Sequence, residues 1–97
     1  MKSIYTIKEK VWLYPGESAS WHFVSLSKKD SKEIKKTHGK VHRGFGSIRV
    51  IVTVGKTTWK TSVFPSKEGM YVLPIKASVR QKEGILNRDT IALKMVF

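Results

Sequence analysis

The chain has 97 residues and contains no cysteine, which excludes disulfides, thiolate metal sites and thiol nucleophiles. Its 19 Lys and Arg residues outnumber its 7 Asp and Glu residues and give a formal net charge of +12. A field of this sign attracts polyanions such as nucleic acid, acidic proteins and anionic lipid headgroups, although a basic composition also serves solubility alone.

Alternation of apolar and polar residues predicts six β-strands. The predicted strands cover residues 3–13, 21–26, 47–54, 57–64, 70–75 and 90–97. Leu13 and Trp59 fall on the predicted inner faces of their strands. Ala77 is predicted to face inward from a short helix.

Two short helices are predicted at strand junctions. Ser27, followed by Asp30 three residues later, is typical of a helix N-cap, and the helix that it begins covers residues 28–36. A second helix covers residues 76–83 and stops at Gly84, which tolerates the left-handed conformation. Six strands with two short helices favour an all-β fold, a small six-stranded β-barrel.

The order of the elements repeats along the chain. Each helix follows a strand, and each is followed by a glycine-containing stop and another strand. This order predicts a barrel with a pseudo-twofold internal repeat, each half donating a strand, a helix and a strand. Any β-rich domain with two helices would give a similar order, so the pattern alone leaves both interpretations open.

A basic segment follows the second predicted strand and is the first candidate binding site. Its members are Lys28, Lys29, Lys32, Lys35, Lys36, Lys40 and Arg43. Such an array neutralises phosphates without reading base sequence, and the glycine-rich loop over residues 39–46 allows close backbone approach. The alternative is a solvated helix face, which is the commoner meaning of a run of charges.

Arg49 and Lys60 form the second candidate site. If they pair across the hairpin at Gly55, they give a basic strip on an exposed sheet face. Trp12 or Trp21 beside that strip would make a stacking platform for single-stranded nucleic acid. Because tryptophan is mostly buried in folded proteins, core positions are favoured for both indoles.

No catalytic constellation is found in the sequence. There is no nucleophile elbow or phosphate-binding loop, and the acidic residues are scattered. His38 and His42 are four residues apart, but Gly39 interrupts the helix and no further ligand completes a metal site. Arg80 could bind an anion, although clamping Asp89 or a carbonyl group suits its forked guanidinium better. We therefore predict no catalytic residues, no metal site and no cofactor.

Several short motifs resemble one known family. They are RGFGSIRV over residues 43–50, WKTSVFP over 59–65, YVLPIK over 71–76, and Val79-Arg80 before Gly84. In order and spacing they are similar to the bacterial family named domain of unknown function nineteen-oh-five, over about residues 21–96. The resemblance implies a double-split β-barrel, distantly like the AbrB, MazE and MraZ regulator group, with both halves in one chain. It implies no established activity.

The chain departs from the family at one turn. The family usually has Gly-Asp where this chain has Arg88-Asp89. Arginine does not take a positive φ as cheaply as glycine. We therefore expect either that Asn87 takes the left-handed position or that the turn differs.

These observations favour a non-enzymatic binding domain for an anionic partner, nucleic acid first, through the basic residues of 28–43 with Arg49 and Lys60. A protein-interaction or accessory domain without nucleic-acid binding is the alternative. The sequence shows no signal peptide and no run long enough to span a membrane. We expect a single domain over residues 1–97, cytoplasmic, without membrane association, and present as a monomer or a weak dimer.

Overall fold

The computed structural model describes residues 2–15, 20–39 and 46–97. The strands are β1 (Ile4–Pro15), β2 (Ser20–Ser25), β3 (Ile48–Val54), β4 (Thr57–Pro65), β5 (Tyr71–Pro74) and β6 (Thr90–Val96). The helices are α1 (Lys28–His38) and α2 (Ala77–Glu83). All the predicted elements occur, and only their ends differ. No helix in the described part of the chain is long and apolar enough to cross a membrane.

The strands close into an antiparallel barrel in the order β1-β2-β5-β4-β3-β6. Exchanging β1 with β4, β2 with β5, and β3 with β6 preserves every pair of neighbours in that order. The same exchange places the unit β2–α1–β3 on the unit β5–α2–β6. The structure thus confirms the all-β six-stranded barrel with two short helices and the pseudo-twofold repeat.

Strict alternation builds the core inside the barrel. In β3, the side chains of Ile48, Val50, Val52 and Val54 are buried and Arg49 between them is exposed. The other strands contribute in the same way, because successive residues of a strand point to opposite faces. The result is one cluster of buried apolar side chains, which includes Trp59 as predicted.

Two side chains predicted to face the core are exposed. Leu13 is 37 % exposed and lies on β1 beyond Lys10, where the pairing of β1 with β6 ends. Ala77 is exposed in the first turn of α2, where it lines a surface cleft.

The helix ends follow the sequence prediction. Ser27 Oγ accepts a hydrogen bond from the Asp30 backbone N–H at 3.0 Å and caps α1, and Gly84 ends α2 in the left-handed conformation, at φ 64°. The buried Ser31 hydroxyl accepts a hydrogen bond from the Tyr71 backbone N–H at 2.9 Å. This contact ties α1 directly to β5.

At the departure from the family pattern, Arg88 itself takes the left-handed conformation, with φ 76°. Of the two alternatives drawn from the sequence, the one that placed Asn87 in this conformation is wrong. Hydrogen bonds hold the turn on both sides, because Arg88 N donates to Val11 O at 2.9 Å and Val11 N donates to Asp89 O at 2.8 Å. Asp89 Oδ2 accepts from Leu86 N at 2.8 Å and so braces the turn from within.

Arg80 has the structural contact favoured from the sequence. Its Nε donates to the backbone oxygen of Ile75 at 3.1 Å. The carbonyl group is therefore its clamped partner, whereas the Asp89 carboxylate is engaged with the Leu86 backbone.

Candidate functional site

Three of the lysines predicted to contact phosphate lie together on α1. Lys28, Lys32 and Lys35 line a cleft of about 560 Å³ between α1 and the loop that joins β4 to β5. We call it the lysine cleft. Their spacing of four and three residues places them on one side of a helix. One acidic side chain, Glu68 of the loop, also lines the cleft.

The other two predicted lysines of α1 are not part of the cleft. Lys29 and Lys36 are exposed but do not line it. Each follows a lining lysine by one position, and one position turns a helix by roughly a quarter of its circumference. Lys40 and Arg43 lie outside the described residues.

Arg49 and Lys60 are both exposed on the outer surface of the barrel, but they are not opposite each other. Lys60 pairs with Ile51, so the hypothesis of a directly paired basic strip is wrong. The hairpin turn fixes this register, because Val54 opposes Thr57 across it. Counting back from a two-residue turn would have given the diagonal arrangement from the sequence alone.

Five aromatic side chains cover the outer surface of the sheet formed by β1, β2, β5 and β4. This set, which we call the aromatic face, comprises Trp12, Tyr14, Trp21, Phe23 and Phe64. Trp12 pairs with Phe23 and Tyr14 pairs with Trp21 across β1 and β2. Cross-strand partners point to the same side of a sheet, so the register itself assembles these rings.

The rings of the aromatic face hold one another in place. The ring centroids of Trp21 and Phe23 are 6.3 Å apart and their planes differ by 11°. The centroids of Trp12 and Phe23 are 5.1 Å apart at 36°. Trp12 Nε1 also donates to Ser25 Oγ at 2.8 Å, which fixes the orientation of that indole. These contacts orient Trp12, Trp21 and Phe23 relative to one another.

The outer rings of the face remain open to solvent. Tyr14 is 58 %, Trp21 54 % and Phe64 39 % exposed. Adjoining exposed aromatic rings are uncommon on a soluble protein and mark interaction sites. The expectation that both indoles belong to the core is wrong for Trp21, whereas Trp12 is half-buried.

The residue pattern of β2 indicates this face, although the general preference of tryptophan for burial favoured core positions. β2 is apolar on both of its faces, since Val24 is buried while Trp21 and Phe23 point outward. In a small barrel only one face of a strand meets the core. Aromatic residues at alternate positions on the other face therefore had to lie outside. Phe64, from β4, could be added to the set only once the strand order was known.

A second cleft, of about 340 Å³, opens beside Trp21 at the edge of the aromatic face. We call it the Trp21 cleft. Lys60, Lys76 and Arg80 line it from three different segments, together with His22. None of its lining residues within the described ranges is acidic. Burial lowers the pKa of His22 below its ordinary value, and the positive charge of Arg80 lowers that pKa further.

The two clefts and the aromatic face form one continuous track. Trp21 and Pro74 line both the Trp21 cleft and an apolar groove on the aromatic face. Tyr14 and Phe23 line that groove and the next depression along. This depression shares Pro65, Ser66, Glu68 and Met70 with the lysine cleft. The track therefore has aromatic rings in its middle and lysines at both ends, with the acidic Glu68 beside the lysine cleft.

Among residues 2–15, 20–39 and 46–97, no three His, Asp or Glu side chains group so as to hold a metal ion. No curated protein matches the sequence. The resemblance drawn from the short motifs is confirmed, and the match begins earlier in the chain than the motifs indicate. The family model described as domain of unknown function (DUF1905) matches residues 8–95, and the chain belongs to that family.

Proposed function

We propose that the chain is a non-enzymatic domain that binds single-stranded nucleic acid. Bases stack on the aromatic face, and phosphates contact the lysines at the two ends of the track. The observation that carries this proposal is the nearly parallel pair formed by the exposed Trp21 and the half-buried Phe23, on the outside of the barrel and continuous with two clefts that lysines line. Base–aromatic stacking contributes about 1–3 kcal/mol for each base.

A single strand fits the surface better than a duplex. The bases of a duplex are stacked on one another, and their faces are not available to a protein ring, whereas the bases of a single strand can be splayed onto aromatic side chains. The barrel presents a sheet and two short helices, and its extents are 34 × 31 × 21 Å. Small barrels that bind single strands cover about 4–16 nucleotides.

The net charge of +12 supports the same partner. Each phosphate that a lysine neutralises releases counterions, so the affinity falls steeply with salt. An apolar protein partner is the second candidate, because all the described residues that line the groove on the aromatic face have apolar or aromatic side chains. They are Tyr14, Trp21, Phe23, Phe64, Val72 and Pro74.

Fluorescence anisotropy with labelled single-stranded DNA and RNA tests the proposal over a range of salt concentrations. We expect binding at low salt that weakens as salt rises, and weaker binding to the matching duplex. The Trp21→Ala variant should lose about 5- to 150-fold in affinity, the equivalent of one stacked base. Trp21 is more than half exposed, so this variant should fold normally.

Leu86→Ala is the matched control, since Leu86 is 69 % exposed and lies in the loop between α2 and β6, away from the track. It should bind like the wild type. An absence of binding at low salt would rule out the proposal, and so would equal losses for the two variants. Selective retention of a protein from a nuclease-treated extract by the wild type but not by Trp21→Ala would instead favour the protein partner.

A further inference from the structure

The Trp21 cleft has the size and the lining of a site for one nucleotide. Its volume of about 340 Å³ lies near the lower end of the range for small-molecule pockets. Two indoles line it, the exposed ring of Trp21 and the buried ring of Trp59. Their apolar surfaces suit a base, and the basic side chains around them suit a phosphate.

Positive charge converges on this cleft from separate parts of the chain. Lys60 lies on β4, Lys76 directly precedes α2, and Arg80 is on α2. The hydrogen bond from Arg80 Nε to the Ile75 carbonyl holds the guanidinium beside the cleft and uses only one of its several N–H donors. An anion there would meet three cationic side chains and no lining carboxylate within the described residues.

His22 adds a neutral donor to the same cleft. Its Nδ1 is buried and has no hydrogen-bond partner among the described residues, so Nε2 is the ring nitrogen that the cleft can reach. A buried N–H without an acceptor is strongly disfavoured. We therefore assign the proton of the neutral ring to Nε2, where it can be donated to an oxygen in the cleft.

We infer that the Trp21 cleft binds the terminal phosphate monoester of a single strand, with the terminal base packed against Trp21. This inference deepens the proposed function and rests on it. A monoester carries more negative charge than the diester inside a strand, about −1.5 to −2 at neutral pH, and so gains more from Lys60, Lys76 and Arg80. The cleft also lies at one end of the track, where a strand that follows the aromatic face would end.

Three oligonucleotides of one sequence test the inference, carrying a 5′-phosphate, a 3′-phosphate, or hydroxyl groups at both ends. We expect one of the two phosphorylated forms to bind at least about tenfold more tightly than the hydroxyl form. This is the gain from hydrogen bonds to a charged group. The phosphorylated form that binds more tightly identifies which end of the strand enters the cleft.

The variant Lys60→Gln/Lys76→Gln should reduce this preference, because both lysines line the cleft. Both side chains are exposed, so the fold should be kept. Each exposed charge pair contributes about 0.2–1 kcal/mol, so the two changes together should reduce the preference by roughly 2- to 30-fold.

The charge-matched control is Lys8→Gln/Lys94→Gln, whose side chains are exposed on β1 and β6, away from the cleft. It should lower the affinity for all three oligonucleotides by the same factor. Equal wild-type affinity for the three oligonucleotides would overturn the terminal-phosphate site and leave the stacking proposal standing. The site is also overturned if both double variants reduce the preference equally. Failure of every oligonucleotide to bind would overturn both proposals.

Discussion

Replacing Arg88 by glycine should stabilise the protein, although it removes a whole side chain. Arg88 has φ 76°, a left-handed conformation that costs an L-residue with a Cβ atom about 1–2 kcal/mol. Glycine avoids that cost but loses about 0.5–1 kcal/mol through the greater freedom of its unfolded chain. The difference is about 0–1.5 kcal/mol and its midpoint, about 0.75 kcal/mol, favours the Arg88→Gly variant.

The turn around this residue will not relax to avoid the strain. The Arg88 N–H donates to Val11 O, and the adjacent Asp89 carbonyl accepts from Val11 N. Both bonds join the turn to β1, so a change of φ at Arg88 would break them. The arginine side chain itself is exposed and has no hydrogen bond or ion pair with another described residue. Its loss should therefore cost little.

Urea and thermal unfolding, followed by tryptophan fluorescence and circular dichroism, measure the change. A gain of this size should raise Tm by about 2–8 °C in a domain of this length and leave the urea m-value unchanged. Arg88→Ala is the control, because alanine removes the positive charge but keeps the Cβ atom. If alanine stabilises as much as glycine, the gain comes from reduced charge repulsion. If glycine destabilises, the argument from backbone strain is wrong.

Three further changes test contacts described above. Ser31→Ala should cost about 1–3 kcal/mol in urea unfolding, because it leaves the buried Tyr71 N–H without its acceptor. Glu83→Ala should lower the free energy of unfolding by a smaller amount, about 0.5–1.5 kcal/mol, since its carboxylate accepts from the Thr57 hydroxyl at 2.6 Å and joins α2 to the β3–β4 turn. An unchanged urea midpoint would show that this bond adds nothing. Burial lowers the pKa of His22 in the folded state, so the unfolded chain takes up its proton first and stability should fall as pH drops below about 6.5. His22→Asn should reduce the fall of stability with pH in this range. An unchanged slope would show that the lowered pKa of His22 does not cause the fall.

The core could be predicted because the alternation of side chains along a strand determines both the apolar pattern in the sequence and which residues are buried. Alternation along β3 places Val50 and Val52 inside and Arg49 outside whatever the neighbouring strands are. The two helix ends followed for a similar reason, since Ser27 and Gly84 act on the backbone within a few residues. Strand alternation and helix capping are local effects, so they can be predicted from the sequence without the strand order.

The full aromatic face and the Trp21 cleft could not be predicted in the same way because they depend on neighbours across the barrel. Trp21 was expected inside on the general preference of tryptophan for burial, whereas its position opposite Tyr14 on the outer face follows from the register of β1 and β2. Lys60 was expected to pair with Arg49 and instead lines the same cleft as Trp21. That cleft brings together residues of β4 and β2, which are not adjacent in the sheet.

The closure of the barrel has a consequence for how the chain folds. β1 pairs with β6 through residues 4–10 and with β2 from residue 11 onward, so one strand joins both sides. Its partners in β6 come from the other end of the sequence, and contacts of such high separation form slowly, because a long loop must be closed first. Until β6 arrives, β1 and β3 each have an unpaired edge. The hairpin of β3 and β4 needs only the turn at Gly55. It should therefore form early, and the β1–β6 seam should set the folding rate.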